Sequence, residues 1–212
     1  MKSNPLPGLY LITDGLQRGG DKEEGELLTK IEAALKGGAR LIQLREKGLK
    51  GGELLRLAKK LRALTKDYGA SLLINDRVDI ALSCGADGVH LTASSFSPAE
   101  ARRLLGKEKL IGVSTHGPDQ AKKAERDGAD FITLGPVFFT PSKTAYGEPL
   151  GLVDFKKITS LIALPVYALG GVKKNNIEET LKAGACGVSM ISAILAADDI
   201  IKTTQEIIKE IR

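Results

Sequence analysis

Aromatic residues and cysteine are scarce in this sequence. It contains no tryptophan, its aromatic content is 4%, and its only cysteines are Cys84 and Cys186. Because these two form no CxxC pair, we expect them to be small core-facing residues of a reduced, cytoplasmic protein. The net charge of +5 comes without clusters of basic residues, and nucleic-acid binders need both such clusters and stacking aromatic side chains. The sequence therefore predicts no nucleic-acid partner, whereas a modest positive charge suits small anionic molecules.

Long apolar runs are also absent, since no run is long enough to cross a bilayer. The first residues show no signal-peptide pattern, so we expect no membrane partner and a cytoplasmic location. An apolar content of 42% and a charged content of 27% are typical of a soluble globular protein. A chain of 212 residues can bury one sizeable core, and we predict one domain over residues 1–212. The sequence does not determine the oligomeric state, and a homo-oligomer stays open.

What the sequence does contain is a regular alternation of short apolar runs and amphipathic segments. Eight such strand–helix units in a chain of this length predict a (β/α)₈ barrel. A doubly wound sheet is the alternative, but it would usually show a glycine-rich loop after the first strand, and no GxGxxG follows Thr13. The predicted strands are Leu9–Thr13, Leu41–Arg45, Leu72–Ile74, Gly88–Leu91, Leu110–Val113, Phe131–Leu134, Pro165–Ala168 and Gly187–Met190.

The third predicted strand ends directly in Asn75 and Asp76. In a parallel α/β protein, the carboxyl ends of the strands form the face where ligands bind. A carboxylate there can hold a hard cation such as Mg²⁺, and the neighbouring amide can donate to an oxygen of a phosphate. The alternative is that both residues only cap the helix that follows.

Gln43, Arg45 and Lys47 alternate at the end of the second strand, so their side chains point the same way on an extended segment. Two neighbouring cations repel each other unless an anion lies between them. Surface Arg and Lys are common, so this pattern alone is weak evidence for a site. It becomes informative because Asn75 and Asp76 follow the neighbouring strand. Together these residues indicate a clamp for a diphosphate and its metal ion.

Backbone groups after the last two strands indicate a second anion site. Gly170-Gly171 follows the seventh strand and Ile191-Ser192 follows the eighth, which is the usual position of the phosphate site in barrels. A Gly-Gly pair also suits a tight turn, so a purely structural role is the alternative. Two anion sites, one cationic and one built from backbone, favour a pair of substrates that carry separate phosphates.

The loop after the sixth strand and the two histidines complete the candidate residues. Thr140, Ser142 and Lys143 bring hydroxyls and an ammonium group to a loop that is long for a connector. We expect this loop to close over a phosphate, with an ordinary surface loop as the alternative. His116 lies at a strand end and should face the pocket, whereas we expect His90 to be structural. Two histidines on separate strands are a poor set of zinc ligands.

Six motifs occur in order along essentially the whole chain. They are Gln43–Lys47, Ile74–Asp79, Gly85–Leu91, Gly112–Ser114, Gly135–Phe138 with Thr140–Lys143, and Ala168–Val172. As a set they resemble the thiamine phosphate synthase family. The resemblance implies a (β/α)₈ barrel and a transferase of thiamine biosynthesis. Such an enzyme joins hydroxymethylpyrimidine diphosphate to hydroxyethylthiazole phosphate and releases diphosphate, so the protein positions its substrates and neutralises charge.

The resemblance also implies roles for individual residues. Gln43 would face the pyrimidine, and Asp76 would bind Mg²⁺. The diphosphate would be held by Arg45, Lys47, Asn75, Ser114 and Lys143. The thiazole phosphate would be held by Thr140, Ser142, Gly171, Ile191 and Ser192. The residues expected to serve the chemistry are Arg45, Lys47, Ser114 and Lys143, with His116 for an isomerisation.

Ser95 departs from the pattern of the family, which has an aspartate there as a second metal ligand. A serine hydroxyl is a weaker ligand than a carboxylate, and Ser95 is kept as a candidate ligand. The segment 94–98 is more similar to the thiazole tautomerases, metal-independent relatives in which a histidine at the position of His116 transfers protons. Those relatives tend to lose the equivalent of Asp76, which this chain keeps. The synthase is the leading prediction, a thiazole tautomerase is the alternative, and a non-catalytic phosphate-binding barrel stays open.

Overall fold

In the computed structural model, eight parallel strands pair in chain order and close into one barrel, which confirms the predicted fold. The structure describes residues 6–16, 20–92, 95–140 and 148–212. The strands are β1 Leu9–Ile12, β2 Leu41–Leu44, β3 Ser71–Asn75, β4 Gly88–Leu91, β5 Leu110–Thr115, β6 Phe131–Leu134, β7 Val166–Leu169 and β8 Gly187–Met190. The helices are α1 Asp21–Lys36, α2 Gly51–Asp67, α3 Val78–Cys84, α4 Pro98–Leu105, α5 Pro118–Arg126, α6 Gly151–Thr159, α7 Ile177–Lys182, α8 Ser192–Leu195 and α9 Ile200–Ile211.

All eight strands start and end within two residues of the predicted bounds, and the differences have local causes. β5 runs on to Thr115 because polar residues still pair with β6 there, Ser114 with Thr133 in the ladder. Helix α8 has only four residues, too few to show a helical period, and was not predicted. The expectation that both cysteines face the core is wrong for Cys186, which is exposed just before β8. None of the described helices has the length and apolarity that a membrane span requires.

The strand residues alternate between the barrel interior and the layer of helices. Three interior rings pack at centroid distances of 5.5–5.6 Å and fill the lower part of the barrel: Tyr10, Phe131 and Tyr167. Glycine takes the facing position on neighbouring strands, because a Cβ added at Gly112 would lie 2.4 Å from the Phe131 ring and one at Gly187 would lie 2.8 Å from the Tyr167 ring. Large and small residues therefore interlock, and the interior is a packed core rather than a channel.

Gly-Ala pairs join several helix ends to the strands that follow. The glycine takes a left-handed conformation, for example φ 68° at Gly85, and the next N–H bonds to a carbonyl five residues back, Ala86 to Ala81 at 2.9 Å. This cap ends the helix and turns the chain directly into a buried strand. The same arrangement occurs at Gly38-Ala39, Gly69-Ala70, Gly128-Ala129 and Gly184-Ala185.

Aspartates at the amino-terminal face of the barrel tie neighbouring strands together. One oxygen of Asp87, just before β4, accepts from the backbone N–H of Leu72 in β3 at 2.8 Å and from the guanidinium of Arg62 in α2. Asp130, just before β6, repeats the arrangement with the N–H of Ile111 at 2.7 Å and the guanidinium of Arg102 at 2.6 Å. One oxygen of each carboxylate thus holds strand to strand and strand to helix.

Candidate active site at the carboxyl-terminal face

The closed barrel brings the predicted site residues to one end. Because all eight strands are parallel, their carboxyl ends all lie at the same face of the barrel. The described candidates there are Gln43 in β2 with Arg45 and Lys47 after it, Asn75 in β3 with Asp76 after it, Ser95 after β4, Ser114 in β5 with His116 after it, Thr140 after β6, Gly171 after β7, and Ile191 and Ser192 after β8. Ser142 and Lys143 lie outside the described residues.

A chain of hydrogen bonds crosses the barrel interior below this face. Gln43 Nε2 donates to the hydroxyl of Tyr10 at 2.7 Å, and that hydroxyl lies 3.1 Å from His90 Nδ1. His90 Nε2 lies 2.9 Å from Ser114 Oγ. Burial, with the charge of Arg45 as a second cause, lowers the pKa of His90 to about 3. Both ring nitrogens are thus engaged by protein groups, which fits the structural role expected of this histidine; the role of Tyr10 was missed.

The predicted cationic pair lies at the rim, with one member already paired. Arg45 Nη1 contacts Asp14 Oδ1 at 2.7 Å, and the Arg45 backbone N–H donates to Thr13 Oγ1 at 3.0 Å. Lys47 is exposed. An anion bound between these two cations has to share Arg45 with Asp14 or displace it. The sequence indicated Arg45 but not its partner, because Asp14 lies 31 positions away, in the loop that follows β1.

Glu46 lies between those two cations in sequence but points the other way. Its side chain is buried, and one oxygen accepts from the backbone N–H of Leu16 at 2.7 Å. Burial raises the pKa of Glu46, although hydrogen bonds from Thr13 and Leu16 oppose that shift. This carboxylate fastens the β1–α1 connection to the end of β2. The alternation along β2 was a signal that Glu46 faces away from Arg45 and Lys47.

The structure brings together the two residues that were predicted to bind metal. Ser95 Oγ donates to Asp76 Oδ1 and accepts from the backbone N–H of Thr92 at 2.7 Å. Asp76 has a left-handed backbone with φ 65°, held by a bond from its N–H to the His90 carbonyl at 2.9 Å. The N-cap of α3 is Arg77, so Asp76 is not in the capping position. A left-handed non-glycine residue is a form of strain that recurs at functional sites.

His116 is exposed at the end of β5 and fixed to the neighbouring loop. Its Nδ1 lies 2.5 Å from the carbonyl of Gly135, and its backbone N–H donates to Gln120 Oε1 at 2.8 Å. Because a carbonyl can only accept, Nδ1 carries the proton that it donates. In the neutral ring, Nε2 is then the basic nitrogen, as a proton-transfer role would need.

The glycines after β7 form a tight turn against the loop after β6. Gly170 and Gly171 have φ values of 94° and 66°, and a Cβ at Gly171 would lie 2.6 Å from the carbonyl oxygen of Phe139. The Gly170 carbonyl accepts from the backbone N–H of Phe138 at 3.0 Å. The turn therefore has a structural role, and it follows β7, the strand that pairs with β8 just before α8 begins at Ser192. The two halves of the predicted backbone phosphate site thus follow neighbouring strands of the barrel.

Comparisons with known proteins agree with this architecture. The sequence profile of the thiamine monophosphate synthase family matches residues 9–194. The thiamine-phosphate synthase of Clostridium novyi is 45% identical over 192 residues, which is 91% of this chain and 92% of that protein. A Geobacter sulfurreducens protein that bears the same name provisionally is 56% identical over 191 residues, 90% of this chain and 88% of its own length.

A solved structure gives the same answer from the fold. Thiamine phosphate pyrophosphorylase from Pyrococcus furiosus matches with a TM-score of 0.84 and 35% identity, covering 97% of this chain and 95% of its own. The resemblance noted in the sequence is thereby confirmed. Since a profile, close relatives and a solved structure agree over most of the chain, this protein belongs to the thiamine monophosphate synthase family.

Proposed function

We propose that this chain is a thiamine phosphate synthase, which joins hydroxymethylpyrimidine diphosphate to hydroxyethylthiazole phosphate and releases diphosphate. The observation that carries the proposal is the grouping of Arg45, Ser114 and Asp76, a guanidinium, a hydroxyl and a carboxylate, at one end of the barrel. The names of the similar proteins support the same transferase reaction. Both substrates are small anionic molecules, in keeping with the net charge of +5.

Charge neutralisation is the main task that this reaction sets the protein. Diphosphate leaves with its bonding electrons, a pyrimidine-stabilised cation remains, and the thiazole nitrogen captures it. In this proposal, Arg45 and Lys47 stabilise the charge that develops on the leaving group. Asn75 and Ser114 donate hydrogen bonds to it, while Gln43 orients the pyrimidine ring.

The thiazole phosphate is assigned to the opposite side of the same face. Gly171 and the start of α8 at Ile191 and Ser192 would supply backbone N–H groups to that phosphate, as in other barrels. Thr140 would add a hydroxyl. Ser142 is proposed for the same phosphate and Lys143 for the diphosphate; both assignments depend on the family resemblance.

Mg²⁺ is the metal that the donor groups fit. Asp76 and Ser95 offer one carboxylate and one hydroxyl, and no group of three or more His, Cys, Asp or Glu side chains suited to a metal is found in the described part of the chain. Mg²⁺ commonly binds through one or two carboxylates plus substrate phosphates and keeps several waters. Asp76, with Ser95 beside it, would therefore hold the ion. When bound, it neutralises charge on the diphosphate.

One observation favours a second candidate, the thiazole tautomerase. Ser95 replaces a carboxylate that a synthase would use, and the Nε2 of His116 is the basic nitrogen of an exposed ring at the same face. In that reaction His116 would move a proton on the thiazole ring without a metal. Asp76 would then matter little.

The deciding experiment follows diphosphate release by the purified protein with both substrates, with each one alone, and with Mg²⁺ or EDTA. A synthase releases diphosphate only with both substrates and Mg²⁺. Isomerisation of the thiazole carboxylate phosphate that survives EDTA and is lost in His116→Ala would favour the tautomerase instead. If the protein shows neither activity, a phosphate-binding barrel without catalysis is the remaining interpretation. A cytoplasmic location and self-association remain predictions for cell fractionation and sedimentation.

A further inference from the structure

We propose that Tyr10 and His90 are positioning residues that fix the hydroxyl of Ser114 as a hydrogen-bond donor toward the bound diphosphate. The inference rests on the proposed function and deepens it. It concerns two buried residues to which the reaction assigns no contact with substrate. It also links the residue proposed for the pyrimidine, Gln43, to the residue proposed for the diphosphate.

The direction of the hydrogen bonds follows from counting protons along the chain. The amide nitrogen of Gln43 can only donate, and it lies 2.7 Å from the Tyr10 hydroxyl. That hydroxyl accepts from Gln43, so its single proton is left for the other neighbour, His90 Nδ1 at 3.1 Å. Nδ1 must therefore be the accepting nitrogen of the ring.

The histidine passes this direction on to Ser114. Because Nδ1 accepts from the Tyr10 hydroxyl, the ring carries a single N–H and is neutral, in keeping with the burial that lowers the pKa of His90. With Nδ1 accepting, the proton is on Nε2, which lies 2.9 Å from Ser114 Oγ and 3.5 Å from Thr133 Oγ1. Ser114 is the nearer acceptor.

The consequence is a fixed orientation of the Ser114 hydroxyl. Because its oxygen accepts from the ring below, its own proton points away from the ring. Ser114 lies at the upper end of β5, partly exposed on the face that carries Arg45. An anionic oxygen is the acceptor that this donor suits, and donors set in advance stabilise charge better than donors that must reorient.

The reverse direction would have the opposite effect on an anion. If Gln43 turned its carbonyl toward Tyr10, the tyrosine would donate to Gln43 and His90 would carry its proton on Nδ1. Nε2 would then accept from Ser114, and lone pairs of the serine would face the diphosphate. The tautomer of His90 therefore reports directly on the proposal.

The first test is nitrogen-15 NMR of the ligand-free protein, which does not depend on any activity. The chain has two histidines, so His116→Asn leaves His90 as the only ring signal. We expect the Nε2–H tautomer. Nδ1–H as the main tautomer would overturn the proposal.

The second test is a double-mutant cycle on binding of inorganic diphosphate with Mg²⁺ and on kcat/KM for the pyrimidine diphosphate. Tyr10→Phe keeps the aromatic packing and removes the hydroxyl, and it should weaken both quantities by roughly tenfold, the usual scale for a hydrogen bond to a charged group. In a Ser114→Ala background, Tyr10→Phe should have no further effect. Equal losses in both backgrounds would show a general structural role and overturn the proposal.

Tyr167→Phe is the matched control. Tyr167 belongs to the same ring cluster, but its hydroxyl donates to the Pro7 carbonyl at the other end of the barrel. The Tyr167→Phe variant should keep diphosphate binding and kcat/KM within about twofold of wild type, a change much smaller than the loss of a hydrogen bond to a charged group would cause. An equal loss in Tyr167→Phe would contradict the specific role of Tyr10.

Conservative variants of the histidine supply a rescue. Gln at position 90 places an amide N–H near the position of Nε2, whereas Asn is too short to reach Ser114. We expect His90→Gln to retain more diphosphate binding than His90→Asn, and the reverse order would count against the proposal. If the wild type lacks synthase activity, the proposed function fails, while the tautomer and the diphosphate-binding cycle still test this inference.

Discussion

Carboxylate side chains at the two faces of the barrel have different surroundings. At the amino-terminal face, Asp87 and Asp130 each accept from a guanidinium and from the backbone of a neighbouring strand. At the carboxyl-terminal face, Asp76 has a left-handed backbone and accepts from a neutral hydroxyl. Glu46 is buried there with a raised pKa. The first face stabilises the fold, whereas the second carries a left-handed aspartate and a buried carboxylate, features that recur at functional sites.

The largest effect that would separate the two faces is expected for Asp76→Asn. Asparagine tolerates the left-handed conformation, so the fold and the thermal midpoint should stay unchanged while the charge is lost. A metal at a leaving group contributes several kcal/mol, so Mg²⁺-dependent coupling should fall by about 100-fold or more. Diphosphate release within a few-fold of wild type would remove Asp76 from the site.

The next largest effect is expected from comparing two arginine substitutions, one at each face of the barrel. Arg45→Ala should lower kcat/KM for the pyrimidine diphosphate by at least about tenfold, or about 1.4 kcal/mol. Arg62→Ala, at the opposite face, should leave kcat/KM unchanged and lower the stability. Steady-state kinetics and thermal melts of both variants measure the difference. Activity of Arg45→Ala within twofold of wild type would contradict the clamp.

The amino-terminal face should respond in stability alone. Asp130→Asn weakens a carboxylate that holds β5, α4 and β6 together, and should lower the free energy of unfolding by about 1–3 kcal/mol. For a chain of this size, each kcal/mol corresponds to a shift of roughly 2–4 °C in the melting midpoint. Denaturant melts measure the change, and a parallel loss of kcat/KM would mean that the two faces are not independent.

Ser95→Asp asks whether the carboxyl-terminal face is short of a metal ligand. If the chain is a synthase, a second carboxylate should lower the Mg²⁺ concentration for half-maximal rate by roughly two- to tenfold. In a tautomerase the new charge would face an anionic substrate and slow the reaction. A Mg²⁺ titration of wild type and variant measures this. An unchanged Mg²⁺ requirement would argue that residue 95 lies too far from the ion.

The smallest effect is expected for Glu46→Gln. Burial raises the pKa of Glu46 in the folded state, so its contribution to stability is present below the unfolded pKa and is lost as pH rises through the folded one. Removing the charge should therefore raise the melting midpoint at pH 7 and leave it nearly unchanged in acid. Thermal melts of wild type and variant from acidic pH up to pH 7 test the sign of this change in the melting midpoint. A less stable variant at pH 7 would show that the hydrogen bonds of the carboxylate stabilise the fold by more than its burial costs.

The sequence was sufficient for the barrel because eight buried parallel strands require eight apolar runs. It also indicated the rim residues, since closure places every strand end at one face. It could not show the chain from Tyr10 to His90, because these residues are 80 positions apart and meet only through strand register and side-chain orientation. A signal did exist: each is a polar-tipped residue within an apolar strand, Leu-Tyr-Leu and Val-His-Leu. The pairing of Arg45 with Asp14 depends in the same way on the shape of a loop.

The interlocked glycines and aromatic rings inside the barrel set a limit on laboratory evolution. A methyl group at Gly112 would meet Phe131 and His90 at once, at 2.4 and 2.6 Å, so a library at that position should return mostly the parent residue. A larger residue at position 112 therefore cannot fit without displacing Phe131 or His90. Selection for substrates of another size should therefore accumulate changes in the loops of the rim, while the layer beneath them stays constant.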